Sequence, residues 1–165
     1  AREGEIGFWT VRMRPGKPLA FGTFTVVDNS DETAQRVVPH LGLPGNPVSA
    51  MMTFELFGRP ALFTMLGKPQ EWERPRIHAI AEERIARPDE RRFFARVIVE
   101  QRGGPDGQYY ARLTGPQGSG VLTSFALANG IAIVPEETPA IEPGQQVEVL
   151  VIQRISETAP PELSD

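Results

Sequence analysis

The order of residues predicts an α/β segment followed by a small, mainly antiparallel β-barrel with one short helix. Two observations carry this reading. Strand-like runs at 7–13, 19–24 and 36–43 lead into an apolar helix that starts at Pro47. After the proline-flanked stretch "KPQEWERP" (68–75) the pattern changes to five strand candidates separated by glycine-rich turns. The expected division is an α/β unit over 1–72, a barrel over 73–156 and a disordered tail over 157–165, with a modest interface between the two units.

The first strand, "GFWTVRM", alternates and is rich in aromatic and β-branched residues. "RPGKP" (14–18) is a turn, "LAFGTF" a second strand and 27–36 a polar loop. Pro39 restricts the third strand to an edge or a strand start. Pro44-Gly45 is a turn pair, Asn46 suits an N-cap and Pro47 fits the first helical position, where its missing N–H is no loss. The helix that follows is apolar nearly all round and reads as buried. Pro60 lacks an N–H and its ring opposes the Leu56 carbonyl, so a kink or break is expected there. "PALFTML" resumes the helix and ends at Gly67, a natural C′ residue.

In the second half the strand candidates are "RIHAIAEERI", "RRFFARVIVEQ", "QYYARL", "GIAIVP" and "QQVEVLVI", with turn chemistry at "GGPDG" (103–107) and "EPG" (142–144). One short helix, "VLTSFALAN", interrupts them, with Leu122, Phe125, Ala126 and Asn129 at helical spacing. Antiparallel strands with one helix read as a small barrel.

Composition narrows the chemistry. The 165 residues contain no cysteine, which excludes disulfides, thiolate ligands and a cysteine nucleophile. With two histidines, His40 and His78, a zinc site would need carboxylates that show no ligand spacing, and no metal ligand set is expected in this chain. The net charge of −4 argues against nucleic-acid binding. No apolar run approaches the ~20 residues that span a bilayer, so no membrane role is expected and a cytoplasmic location is.

Two proline-glycine loops can carry chemistry. "MRPGKP" (13–18) offers Arg14 and Lys17; "LPGNPVS" (43–49) offers Gly45, Asn46, the first helical N–H groups and the Ser49 hydroxyl. If their strands are neighbours, both loops leave one end of a sheet. Cations, free N–H groups and a helix dipole then suit an oxyanion or phosphate. The plainer alternative is two turns with solvated basic residues.

At these residues the chain resembles a family. "FWTVRMRPGKPLAFGTF" followed by "LGLPGNPVSAMMTFELFGRPAL", with "GSGVLTSFALANGIAIVP" later, is similar to the molybdopterin molybdenumtransferases, the MoeA and gephyrin E-domain family, from about Gly7 to about Ile152. The resemblance implies the C-terminal half of a molybdopterin-binding α/β domain, then the family's terminal barrel. It implies an intact cytoplasmic, homodimeric enzyme that inserts molybdate into adenylylated molybdopterin and releases AMP. Magnesium is then the cofactor, with its ligands outside this chain, and the chain alone is expected to be inactive. Carried over, Lys17 and Ser49 bind substrate, with Arg14 at a position where many relatives have lysine; Gly45 and Asn46 complete the substrate-binding set, and no catalytic residue is assigned. The alternative is a scaffold or peptide-interaction module of the gephyrin E-domain type, for which no apolar groove is legible in the sequence.

Other features favour structural duties. Arg59 suits a helix-end salt bridge, Ser119 an N-cap, and Trp9, Phe21 and Phe24 core packing rather than pterin stacking. The charged run "EERIARPDERR" (82–92) reads as a solvated turn.

Overall fold

Alternation in the first strands produces a three-stranded antiparallel sheet. The structure is a computed structural model that describes residues 4–27 and 35–158. β1 (Gly4–Thr10) pairs with β3 (Pro18–Val27), and β3 with β4 (Gln35–Gly42). Between β1 and β3, the two residues of β2 (Met13–Arg14) leave this sheet and pair with the barrel. Most of the polar loop at 27–36 lies outside the described residues.

After Gly42 the chain turns into α1 (Pro47–Thr53), a π-helical turn (Phe54–Gly58) and α2 (Arg59–Met65). At Pro60, where a kink or break is expected, the helical run continues through one wide turn. The Arg59 N–H reaches back five residues to the Phe54 carbonyl. The extra residue in that turn accommodates a proline that can neither donate to Leu56 nor tolerate its carbonyl. Gly67 ends the run as expected: at φ 73° it lets its own N–H reach the Thr64 carbonyl and the Lys68 N–H reach Phe63.

All five strand candidates of the second half form the barrel. β5 (Arg76–Ala81), β7 (Arg92–Arg102), β8 (Gln108–Leu113), β9 (Gly130–Val134) and β11 (Gln146–Val151) close in the order β7-β8-β5-β11-β9-β7. The pairing is antiparallel except between β5 and β8. β6 (Ile85–Ala86) pairs with β10 (Ala140–Ile141), and β12 (Ser156–Thr158) runs parallel to β7. Glu157 and Thr158, assigned by sequence to the disordered tail, are thus in a strand; residues 159–165 lie outside the described residues. α3 (Leu122–Ala126) lies on the barrel and buries Ser124 and Phe125, while Leu122 and Ala126 stay exposed. Asn129 follows it and acts as a strand substitute: its side chain accepts from the Val99 N–H and donates to the Val99 carbonyl.

The period of two in β7 divides two apolar clusters. Phe93, Ala95, Val97 and Val99 point into the barrel, where they join Ala79, Ile85, Ala132 and Val149. Phe94 points outward to a second cluster with Met13, Val48, Met52, Phe125, Ile131 and Leu150. This second cluster draws on both halves of the chain, which therefore share apolar packing. Val48 and Met52 have no exposed surface, and burying side chains of this size contributes about 1.5–3 kcal/mol each. The cause lies in the apolar circumference of α1, which needs the barrel as its second wall.

Candidate functional site

The two loops do leave the same end of the three-stranded sheet, because Thr10 pairs with Pro18 and Ala20 with Gly42. The loop Met13–Lys17 also lies against α1. Gly16 has φ +109°, and a Cβ there would stand 2.7 Å from Thr53 Cγ2, one helical turn beyond Ser49. Glycine is therefore required twice over, for its dihedral and for the close approach. Arg14 and Pro15 are joined by a cis peptide bond.

Lys17 is exposed and has no partner for its ammonium among the described residues. Arg14 is not free. Its Nη1 donates to Asp89 Oδ2 at 2.8 Å, across to the barrel half. Arg91 donates to the same carboxylate through Nε (2.9 Å) and its backbone N–H (3.1 Å), and its Nη1 reaches the Met13 carbonyl (3.3 Å). Hydrogen bonds from Arg91, joined by that from Arg14, hold the Asp89 carboxyl well below the usual carboxylate range despite the opposing effect of desolvation. The same carboxylate raises the pKa of Arg91 above its ordinary value. The charged run 82–92 is largely exposed, as expected, yet it buries Ile85 and ties loop 13–17 to the barrel.

Pro47 has no N–H, the Val48 N–H donates to the Ser119 carbonyl (3.3 Å) and the Ala50 N–H to the Asn46 carbonyl (2.8 Å). The Ser49 N–H and hydroxyl have no partner among the described residues, although the residue is only 6% exposed. Asn46 makes no cap bond with its side chain; its Nδ2 donates to Ser119 Oγ at 3.4 Å. Gly45 is exposed, with no atom within 4 Å of where a Cβ would stand. Ser119, expected to cap α3, instead meets the N-terminus of α1, and the N-cap position of α3 falls to Val121, without a side-chain cap. The sequence signal for this was available only as the glycines flanking Ser119.

Sequence reasoning fails at three other places. Among the described residues Arg59 makes no salt bridge; its Nε donates to the Trp72 carbonyl (2.9 Å) and its guanidinium lies 4.7 Å from the Phe63 ring centroid. Trp9 and Phe21 do not enter a core: they are 63% and 50% exposed, because nothing in the described chain covers that part of the sheet. A cavity of about 290 Å³ at the loop end is lined by Trp9, Leu19, Ala20, Leu43 and Pro44 among others, and by neither Lys17 nor Ser49. An apolar groove, unseen in the sequence, runs along the seam between the halves. It has about 540 Å³, a floor of Val11, Leu56, Phe57, Phe94, Ile133 and Leu150, and a rim of Arg12, Arg76, Arg92, Glu136 and Glu148. Among the described residues no group of three or more His, Asp or Glu side chains is placed to hold a metal ion.

Known proteins share this arrangement. Residues 1–64 match the family model described as a probable molybdopterin binding domain, and 78–152 match the MoeA C-terminal region, domain IV. The chain is 33% identical over 150 residues to molybdopterin molybdenumtransferase 2 of Mycobacterium tuberculosis, covering 90% of this chain and 33% of that protein. It is 32% identical to the molybdopterin molybdenumtransferase of Haemophilus influenzae, covering 88% and 33%. It is 31% identical to gephyrin of Dictyostelium discoideum, covering 93% and 23%. A crystal structure of the molybdopterin biosynthesis MoeA protein of Pyrococcus horikoshii shares the fold, with a TM-score of 0.65 and 24% identity over 89% of this chain and 32% of that one. This chain therefore spans about a third of the length of the molybdenumtransferases it matches. With both domain models matched in order, the chain belongs to the molybdopterin molybdenumtransferase (MoeA) and gephyrin family.

Proposed function

We propose that, within a longer protein, this chain binds adenylylated molybdopterin and molybdate, so that molybdate enters the dithiolene and AMP is released. The observation that supports it is the shared sheet end: the Lys17 ammonium and the Ser49 N–H and hydroxyl, without partners among the described residues, lie on a loop and a helix start that leave that end. Lys17 supplies a point charge to an oxyanion, and Ser49 supplies two donors. Arg14 is already shared with Asp89, so its charge is largely spent on holding the loop rather than on substrate. Gly45 leaves room for close approach, and Asn46 fixes the helix start through Ser119.

The division into a binding unit (1–72) and a barrel unit (73–156), a homodimeric whole protein and a cytoplasmic location belong to the same proposal. No helix among the described residues is long and apolar enough to cross a membrane. The magnesium that the resemblance implies is proposed to be held by residues outside this chain, and no step is drawn through it. The test is molybdenum insertion by the whole protein carrying Lys17→Ala or Ser49→Ala. Loss of insertion at unchanged thermal stability supports the reading; undiminished insertion in both overturns it.

The seam groove favours a second reading, a peptide-interaction module of the gephyrin type. Its apolar floor and charged rim are the form that recognises an amphipathic segment. Binding of a peptide, with no affinity for molybdate or pterin, would select this reading.

A further inference from the structure

We propose that Arg96 is a positioning residue: a buried guanidinium that shapes the loop 114–121 and, through it, sets the N-terminus of α1. Its functional consequence rests on the reading of that helix start as part of the substrate site.

Arg96 lies on the outer face of β7, next but one to Phe94, and has no exposed surface. Arginine is rarely buried so completely without a carboxylate, yet none among the described residues pairs with it. Its Nε donates to Ser124 Oγ (3.0 Å) and its Nη2 to the Gly118 carbonyl (3.1 Å), while Nη1 is buried without a partner. The same residue holds the loop by its backbone. Its N–H donates to Gln117 Oε1 (2.8 Å), and its carbonyl accepts from Gln117 Nε2 (3.1 Å) and the Thr114 N–H (3.1 Å). Burial lowers its pKa to about 10, which leaves it charged at neutral pH.

The loop so held presents Ser119, whose carbonyl takes the Val48 N–H and whose hydroxyl takes Asn46 Nδ2. Asn46 spends its side chain on this contact and makes no cap bond of its own. The start of α1 is therefore fixed from the barrel. A planar fork can bond Ser124 and Gly118 at once, whereas an ammonium can satisfy only part of that geometry and a thioether none. A residue that merely filled the space would be replaceable by methionine.

Backbone hydrogen exchange on the whole protein tests this with Arg96→Met, Arg96→Lys and Ser124→Ala. In Arg96→Met the Val48 amide and the amides of 115–121 should exchange about tenfold faster than in the wild type, with Val149 in β11 unchanged. Arg96→Lys should fall between, and Ser124→Ala should show the same pattern more weakly. If Arg96→Met does not fold, the other two variants carry the comparison. An unchanged Val48 rate in the folded variants, or a rise at Val149 equal to that at Val48, overturns the proposal. Molybdate titration is the second arm: affinity should fall in step with the Val48 rate. Unchanged affinity in a variant with a loosened Val48 overturns the functional consequence, whereas a wild type that binds no molybdate overturns the substrate-site reading and leaves the exchange result standing.

Discussion

Replacing Gly16 by alanine probes how loop 13–17 is held against α1. Two penalties add. The residue sits at φ +109°, where an L side chain is strained, at about 1–3 kcal/mol. Its new Cβ would stand 2.7 Å from Thr53 Cγ2 and 3.0 Å from Met13 Cε. Met13 can flex, but Thr53 is β-branched, fully buried and tied by its hydroxyl to the Ser49 carbonyl (2.8 Å), so it yields little. Overpacking of this kind costs about 1–3 kcal/mol. The expected loss is roughly 2–6 kcal/mol, a fall in Tm of roughly 4–24 °C for a chain of this size. Thermal unfolding followed by circular dichroism reads it. Thr53→Ser removes the clashing methyl and should recover part of the loss in the double variant, while Gly45→Ala, with nothing within 4 Å, should stay within about 0.5 kcal/mol of wild type. A Gly16→Ala protein as stable as wild type would refute the close packing of loop on helix.

Three further outcomes follow from the clamps around the site. Asp89→Asn should destabilise the chain by about 1 kcal/mol at pH 7, since the group is partly exposed. The folded carboxyl is depressed, so its stabilisation is complete above the unfolded value of about 4 and is lost as pH falls through the folded one. The variant and wild-type stabilities should therefore converge in acid unfolding below about pH 2. Arg74→Ala removes a two-pronged ion pair with Glu55 in the π turn, at 2.9 and 3.0 Å, and should lower stability by about 1–3 kcal/mol in urea titration. Gly130→Ala places a Cβ 2.6 Å from Val149 Cγ1 inside the barrel and should cost about 1–3 kcal/mol by the same titration.

What the sequence discloses is what local physics determines. The five barrel strands follow from alternation and turn chemistry, and Pro47 and Gly67 mark helix ends because each forgoes or satisfies a specific N–H or carbonyl, whereas Asn46 stands at the helix start without the side-chain cap bond its residue type suggests. What it conceals is set by partners distant along the chain. Met13–Arg14 gives no signal that two residues will pair with Arg92 and Phe93. The alternation of "FFARVIVEQ" places Arg96 on the outer face, but not under a loop that begins at Thr114. Asp89 looks like one charge in a solvated run until Arg14 arrives from the other half. Trp9 and Phe21 invite a core reading because aromatics in strands are usually covered, and only the three-dimensional structure shows that face open. Lys17 and Ser49 are legible as candidates from the loop and helix signals, while the barrel's part in setting the helix start is not.

The central claim is that the loop carrying Lys17 and the start of α1 bind an anionic pterin substrate rather than serving as plain turns. Titration of the whole protein with adenylylated molybdopterin, wild type beside Lys17→Ala and with unfolding measured on the same preparations, tests it most directly. An exposed lysine contributes within about 0.5 kcal/mol to stability, whereas a charge-assisted contact to an anion is worth ~1.5–3 kcal/mol, or roughly ten- to a hundredfold in affinity. Lys17→Ala should lose affinity by that factor at an unchanged Tm. Equal affinity in the two proteins would contradict it.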